Sequence, residues 1–215
     1  FYYFSTDEVF GPSDKDTKFK EWDRYNSKNP YAATKAAGEE LTIAFSNTYS
    51  IPSLISHCCN VYGERQHSEK FIPNTIKKIL NDEKVIIHTD ENNVPGSRYY
   101  LHNEDLAETI LFLLNNYKLV MSESEKLFSK KPAKVNITGN SLISNLEVVQ
   151  KVESILNKEV EHVLLNNDPE RPGHDIKYGL DNAFLKQIGG EHDRGFESGM
   201  EQTVSWFLEN REWLQ

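Results

Sequence analysis

FYYFSTDEVFG, residues 1–11, reads as a short strand that runs straight into a cluster of reactive side chains. Phe1 to Phe4 is an unbroken aromatic run, the pattern of a strand covered on both faces. It ends in Ser5, Thr6, Asp7 and Glu8, and Gly11-Pro12 lets the chain turn. The polar stretch that follows, as far as residue 29, reads as a loop. Asn29 is placed to cap a helix whose first turn holds Pro30. Ala37, Leu41 and Phe45 then recur at four-residue intervals, and the helix is expected to run to about Tyr49. Residues 51–59 form a second strand, and Asn60-Val-Tyr-Gly63 is the turn that leaves it. Strand, helix and strand in this order make half of a doubly wound parallel sheet.

Beyond residue 63 the pattern predicts a helix at 71–80 and a strand at 84–88 leading into the polar segment 89–97. A strand at 98–101 and a helix at 104–114 follow. Residues 116–133 are charged and weakly patterned, as in an exposed excursion. Strands are expected at 135–137 and 162–165, with a helix at 147–156 capped by Ser144. A loop at 170–175 and an amphipathic helix at 196–213 close the chain. The expected class is α/β. Residues 1–62 would be the C-terminal part of a doubly wound, Rossmann-like sheet, and 63–215 a smaller α/β domain with some segments returning to the first.

The 215 residues suffice for one good core or two small ones, and 38% hydrophobic with 27% charged residues is ordinary for a globular protein. A formal net charge of −9 argues against nucleic acid or an anionic membrane as the main partner. No apolar run approaches the ~20 residues of a spanning helix. Cys58 and Cys59 are adjacent, so a bridge between them would be strained; they read as reduced residues of a cytosolic protein. Metal ligation is the poorer alternative, because no second pair has the right spacing.

Two constellations carry chemistry. Tyr31 and Lys35 lie one helical turn apart, so the ammonium is expected to favour the phenolate of a group whose ordinary pKa is near 10. In isolation such a spacing is more often a surface pair. Here the intervening Ala32, Ala33 and Thr34 and the following Ala36, Ala37 and Gly38 permit close packing against a sheet or a cofactor. The second constellation, Thr6-Asp7-Glu8, offers a hydroxyl, an acid and a base where open α/β sheets bind substrates. Elimination of water needs an acid for the leaving hydroxyl and a base for the carbon proton. Solvated acids at a polar strand end are the plainer reading of the same residues.

Taken in order, STDEVFG (5–11), NPYAATK (29–35), NVYG (60–63), EKFIP (69–73), Arg98, NITG (136–139), RPGHD (171–175) and TVSWFLEN (203–210) resemble the dTDP-glucose 4,6-dehydratases, a family of extended short-chain dehydrogenase/reductases. The resemblance implies NAD as cofactor, a nucleotide-sugar substrate, a cytoplasmic role in deoxysugar biosynthesis and a homodimer formed through the Tyr31 helix and its neighbour. It implies that Tyr31 takes the C4 hydroxyl proton while hydride leaves for NAD, that Thr6 bonds that oxygen, and that Lys35 holds the nicotinamide ribose. Glu8 would then take the C5 proton, Asp7 protonate the departing C6 hydroxyl, and the hydride return to C6. By the same transfer, Val61 stands beside the cofactor. Asn60, Lys70, Phe71, Ile86, Ile87, His88, Arg98, Asn136, Arg171 and His174 match contacts to the sugar nucleotide.

Three departures qualify the match. Val61 stands where many members carry a second asparagine, although related UDP-glucose dehydratases also read NVYG. The segment 89–97 is longer than usual before Arg98, which bears on the choice of base or sugar. No glycine-rich pyrophosphate loop follows a first strand. The expectation is therefore a chain that lacks the first strands and that loop, and that by itself folds poorly and binds NAD weakly. UDP-glucose dehydration, another nucleotide-sugar epimerisation or dehydration, and an inactive sugar-nucleotide-binding piece are the alternatives.

Overall fold

A computed structural model describes residues 1–13, 17–166, 179–192 and 194–215. In chain order the larger elements are β1 (Tyr2–Thr6), α1 (Pro30–Tyr49), β2 (Leu54–Cys58), β3 (Val61–Tyr62), α2 (Phe71–Leu80), β4 (Val85–Thr89), β5 (Ser97–Tyr99) and β6 (Leu101–His102). Then follow α3 (Asn103–Asn115), α4 (Tyr117–Phe128), β7 (Ala133–Ile137), β8 (Leu142–Ser144), α5 (Asn145–Leu156), β9 (His162–Asn166), α6 (Ala183–Gln187) and α7 (Phe196–Glu209). They form two compact units, residues 1–59 with 105–138 and 177–192, and residues 60–104 with 139–176 and 193–215.

The first unit is built on a parallel sheet in the order β1-β2-β7, as expected for an α/β fold. Asn29 caps α1 by accepting from the Ala32 N–H, and Pro30 occupies the first turn, where its missing donor costs nothing. Two expectations change here, for the opening strand and for residues 116–133. The opening strand is not covered on both faces among the described residues, where Phe4 remains 49% exposed. The Ala37, Leu41 and Phe45 stripe of α1 points outward, while Ala32, Glu39 and Thr42 are buried. Gly38 explains the close fit, since a Cβ there would overlap the Tyr3 hydroxyl of β1. Residues 116–133 are not a mere excursion, because α4 buries Val120 and Ser124 and packs against β7.

In the second unit, α2, α5 and α7 surround one apolar core with Ile72, Ile76, Val149, Val152, Val204 and Phe207 at its centre. Strand pairs β3-β6 and β4-β9 are parallel, and β5-β8 is antiparallel. Asn60-Val-Tyr-Gly63 is thus more than a turn, since Val61 and Tyr62 form a short strand. Ser144 and Glu147 make a reciprocal capping box that starts α5. Among the described residues no helix is long and apolar enough to cross a membrane.

Candidate active site

Strand β1 stops at Thr6 because that residue caps a single 3-10 turn, Asp7–Phe10. Its Oγ1 accepts from the Glu8 N–H at 3.3 Å and donates to Asp7 Oδ1 at 3.1 Å. Asp7 is buried and Glu8 half-buried. The turn closes at Gly11, whose φ of 77° lies in the left-handed region and where a Cβ would stand 2.6 Å from the Asn26 carbonyl oxygen. Glu8 is held from the helix side, where Asn29 Nδ2 donates to its Oε2 at 2.8 Å.

Tyr31 sits on the first turn of α1 with its side chain 53% exposed. Burial and then the negative charge of Glu8 push its phenol above the ordinary value, while a hydrogen bond with the Thr6 side chain opposes them. This corrects the expectation that Lys35 lowers the phenol. The Lys35 ammonium instead lies 4.8 Å from the centre of the Tyr3 ring, and the Tyr3 hydroxyl donates to the Lys35 carbonyl at 3.1 Å. A phenol, a hydroxyl and two carboxylates thus meet at the C-terminal end of a parallel strand, with a cation one turn away. That donor set suits proton transfer to and from a hydroxylated substrate, and it fits the nicotinamide-ribose end of NAD.

Beneath this cluster lies a buried polar network that sequence reasoning missed. Glu39 of α1 is fully buried and accepts from Ser5, Tyr25, His57 Nε2 at 3.1 Å and Lys134 Nζ at 3.0 Å. Burial alone would raise its pKa, but His57, Lys134 and Ser5 outweigh that and hold the carboxyl at about 2. For Lys134 the balance reverses, since burial lowers its pKa despite Glu39. Glu21, also buried, is raised to about 7 by desolvation, against the backbone N–H donors around it. The available signal was Ser5, His57 and Lys134 within short strands rich in apolar residues, and Glu39 one turn beyond Lys35.

The remaining expected residues scatter. Asn136 belongs to the network: wholly buried, it contacts His57 Nδ1 at 2.8 Å and donates to the Phe19 and Asp181 carbonyls. Its side chain is therefore committed within the fold, which departs from the expected diphosphate or ribose contact. In the second unit Asn60, Lys70 and Ile86 are exposed, and Val61, Phe71 and His88 half-buried. Ile87 turns into the core because alternate strand residues face opposite ways. Arg98 Nη1 donates to the Ser97 carbonyl at 2.9 Å. Arg171 and His174 lie outside the described residues. Cys58 and Cys59 are unbridged, with burial pushing the Cys58 thiol up to about 12.

A sequence model of the NAD dependent epimerase/dehydratase family matches residues 1–124. The chain is 34% identical to a dTDP-glucose 4,6-dehydratase of Xanthomonas campestris pv. campestris, covering 100% of this chain and 59% of that protein. It is 33% identical to a trifunctional UDP-glucose 4,6-dehydratase/UDP-4-keto-6-deoxy-D-glucose 3,5-epimerase/UDP-4-keto-L-rhamnose-reductase of Arabidopsis thaliana, covering 99% of this chain and 30% of that protein. Among solved structures, the dTDP-glucose 4,6-dehydratase of Bacillus anthracis in complex with NAD superimposes with a TM-score of 0.83 at 27% identity, over 99% of this chain and 62% of that one. The Bacillus cereus UDP-glucuronic acid 4-epimerase, at 20% identity, TM-score 0.82 and coverage of 97% of this chain and 61% of that one, shows the shared fold. The chain thus spans 58% to 62% of the dTDP-glucose 4,6-dehydratases it matches. With α/β architecture, the Tyr31 helix and the matched model over more than half its length, the chain belongs to the NAD dependent epimerase/dehydratase family.

Proposed function

We propose that the intact protein carrying this chain dehydrates a nucleoside-diphosphate glucose, dTDP-glucose first, to its 4-keto-6-deoxy sugar. The observation that carries this reading is the joining of Thr6, Asp7 and Glu8 to Tyr31 in one cluster. A phenol alone serves oxidation of an alcohol; two carboxylates beside it serve loss of water. Tyr31, once the positive charge of a bound oxidised nicotinamide favours its phenolate, would accept the proton of the C4 hydroxyl, and the Thr6 hydroxyl would orient that oxygen. The resulting C4 ketone acidifies the C5–H bond. Glu8 removes the C5 proton, Asp7 gives its proton to the C6 hydroxyl, and one water leaves. Protonation at C5 by Glu8 completes the product. Bound NAD would supply the hydride acceptor for C4 and the hydride donor for C6. Tyr31 and Lys35 would hold its nicotinamide-ribose end, and Val61 would stand beside it.

For the nucleotide and diphosphate, Arg98 and Arg171 offer planar donor forks suited to phosphate oxygens. Asn60, Lys70, Phe71, Ile86, His88 and His174 are proposed around the sugar and base. The outward Leu41, Phe45 and Tyr49 face of α1 supports a homodimer through that helix. UDP-glucose is the second reading, favoured by the UDP-glucose 4,6-dehydratase activity in the name of the Arabidopsis relative. Incubation with dTDP-glucose and UDP-glucose, scored by the alkaline absorbance of the 4-keto product, separates the two. Absence of that product with every nucleoside-diphosphate hexose would sink the reading.

A further inference from the structure

The Asn29 side chain makes two hydrogen bonds that serve different ends. Its Oδ1 accepts from the Ala32 backbone N–H at 2.8 Å and caps α1. Its Nδ2 donates to Glu8 Oε2 at 2.8 Å. A backbone N–H only donates and an ionised carboxylate only accepts, so the two partners together fix which end of the amide faces which. Capping alone does not call for asparagine, because serine and aspartate cap about as well. Serine, however, has no second polar atom at the Glu8 end, and aspartate would set one carboxylate oxygen against another.

We infer that Asn29 is a positioning residue for Glu8, fixing the carboxylate to the first turn of α1 that also carries Tyr31. This rests on the proposed dehydratase reading, in which Glu8 takes the C5 proton. The one amide ties both proton acceptors to a single rigid frame. The frame extends to Thr6, whose Oγ1 accepts from the Glu8 N–H. Loss of the amide donor leaves the Glu8 carboxylate free to rotate while the helix and Tyr31 stay in place. A misplacement of about 1 Å is worth up to ~100-fold in rate.

The test uses the intact, NAD-loaded protein with dTDP-glucose and UDP-glucose in deuterated water. Asn29→Ser keeps the cap and removes the hold on Glu8, and Asn29→Asp keeps the cap and adds a like charge. Asn29→Ser is expected to keep the wild-type thermal midpoint, and both variants are expected to keep C4 oxidation, read by the near-ultraviolet absorbance of the reduced nicotinamide. C5 exchange with solvent should slow by about 10- to 100-fold in Asn29→Ser, and further in Asn29→Asp. A purely structural role would depress oxidation and exchange together, and that result overturns the assignment. So does a C5 exchange rate within about threefold of wild type in Asn29→Ser, a loss smaller than the misplacement implies. If the wild-type protein neither oxidises C4 nor exchanges C5 with either substrate, the dehydratase reading fails and takes the role of Asn29 with it. Wild-type turnover matched by both variants refutes the role of Asn29 alone.

Discussion

Replacing Glu39 by glutamine removes the charge at the centre of the buried network while keeping its shape. The wild-type carboxylate faces His57 and Lys134 at 3.1 and 3.0 Å, with none of the three side chains more than 3% exposed. Its folded pKa of about 2 lies below the ordinary value of 4.5. At 1.36 kcal/mol per unit, this difference corresponds to about 3 kcal/mol at neutral pH. The range for breaking a buried pair from one side, roughly 3–5 kcal/mol, is the same size. Because the folded pKa is depressed, the contribution is complete above the unfolded pKa and is lost as pH falls toward 2. Linkage leaves about 1 kcal/mol of it at pH 3. Trp22 lies 4.3 Å from the Lys134 ammonium and reports on this unit, so its emission during urea unfolding is the assay, with Trp206 and Trp213 replaced by phenylalanine. Glu39→Gln should cost about 3 kcal/mol at pH 7 and converge with wild type near pH 2. A cost below about 1 kcal/mol at pH 7, or one that does not shrink on acidification, would refute the reasoning.

Glu21 predicts the opposite pH trend in the neutral range. Its folded pKa of about 7 lies above 4.5, so the protonated acid favours the fold below the unfolded pKa and that advantage is lost as pH rises through 7. Glu21→Gln should therefore abolish a decline of about 3 kcal/mol between pH 4.5 and 8, measured by urea midpoints across that span. Gly38→Ala should drive the Tyr3 hydroxyl off its seat and cost roughly 1–3 kcal/mol. The same change should alter the ring-current shift of Lys35 in NMR spectra of the methylated protein; an unaltered shift would show that Tyr3 does not seat the ammonium. Ser144→Ala removes one arm of the capping box and should destabilise the second unit by about 1 kcal/mol in thermal unfolding.

Helix α1 was legible almost residue for residue because its start is written locally, in Asn29 and Pro30. The same holds for α2, whose apolar face is strong and regular. Helix α4 was not legible, since it buries only Val120 and Ser124 while Leu119 and Leu127 stay exposed, so its apolar residues do not mark one face. Strand β3 escaped because two residues carry no period, and its pairing with β6 is a long-range event. Within the site, Thr6, Asp7, Glu8 and Tyr31 could be picked out from their order in sequence. What surrounds them could not. Glu39, His57 and Lys134 come from three elements and look like misplaced polar residues until the sheet brings them together. Lys35 taught a related lesson: helical spacing placed it near Tyr31, but its ammonium is drawn onto the ring of Tyr3 from the neighbouring strand. Asn29 was readable as a cap, whereas its bond to Glu8 depends on how the 3-10 turn returns the chain to the helix.

The most direct test of dehydration at this site compares the intact, NAD-loaded wild-type protein with Glu8→Gln, each given dTDP-glucose and UDP-glucose in deuterated water. The account predicts a 4-keto-6-deoxy product from wild type, carrying solvent deuterium at C5. Glu8→Gln should oxidise C4 without losing water. Turnover by Glu8→Gln at the wild-type rate, or absence of the keto product from wild type with both substrates, would contradict it.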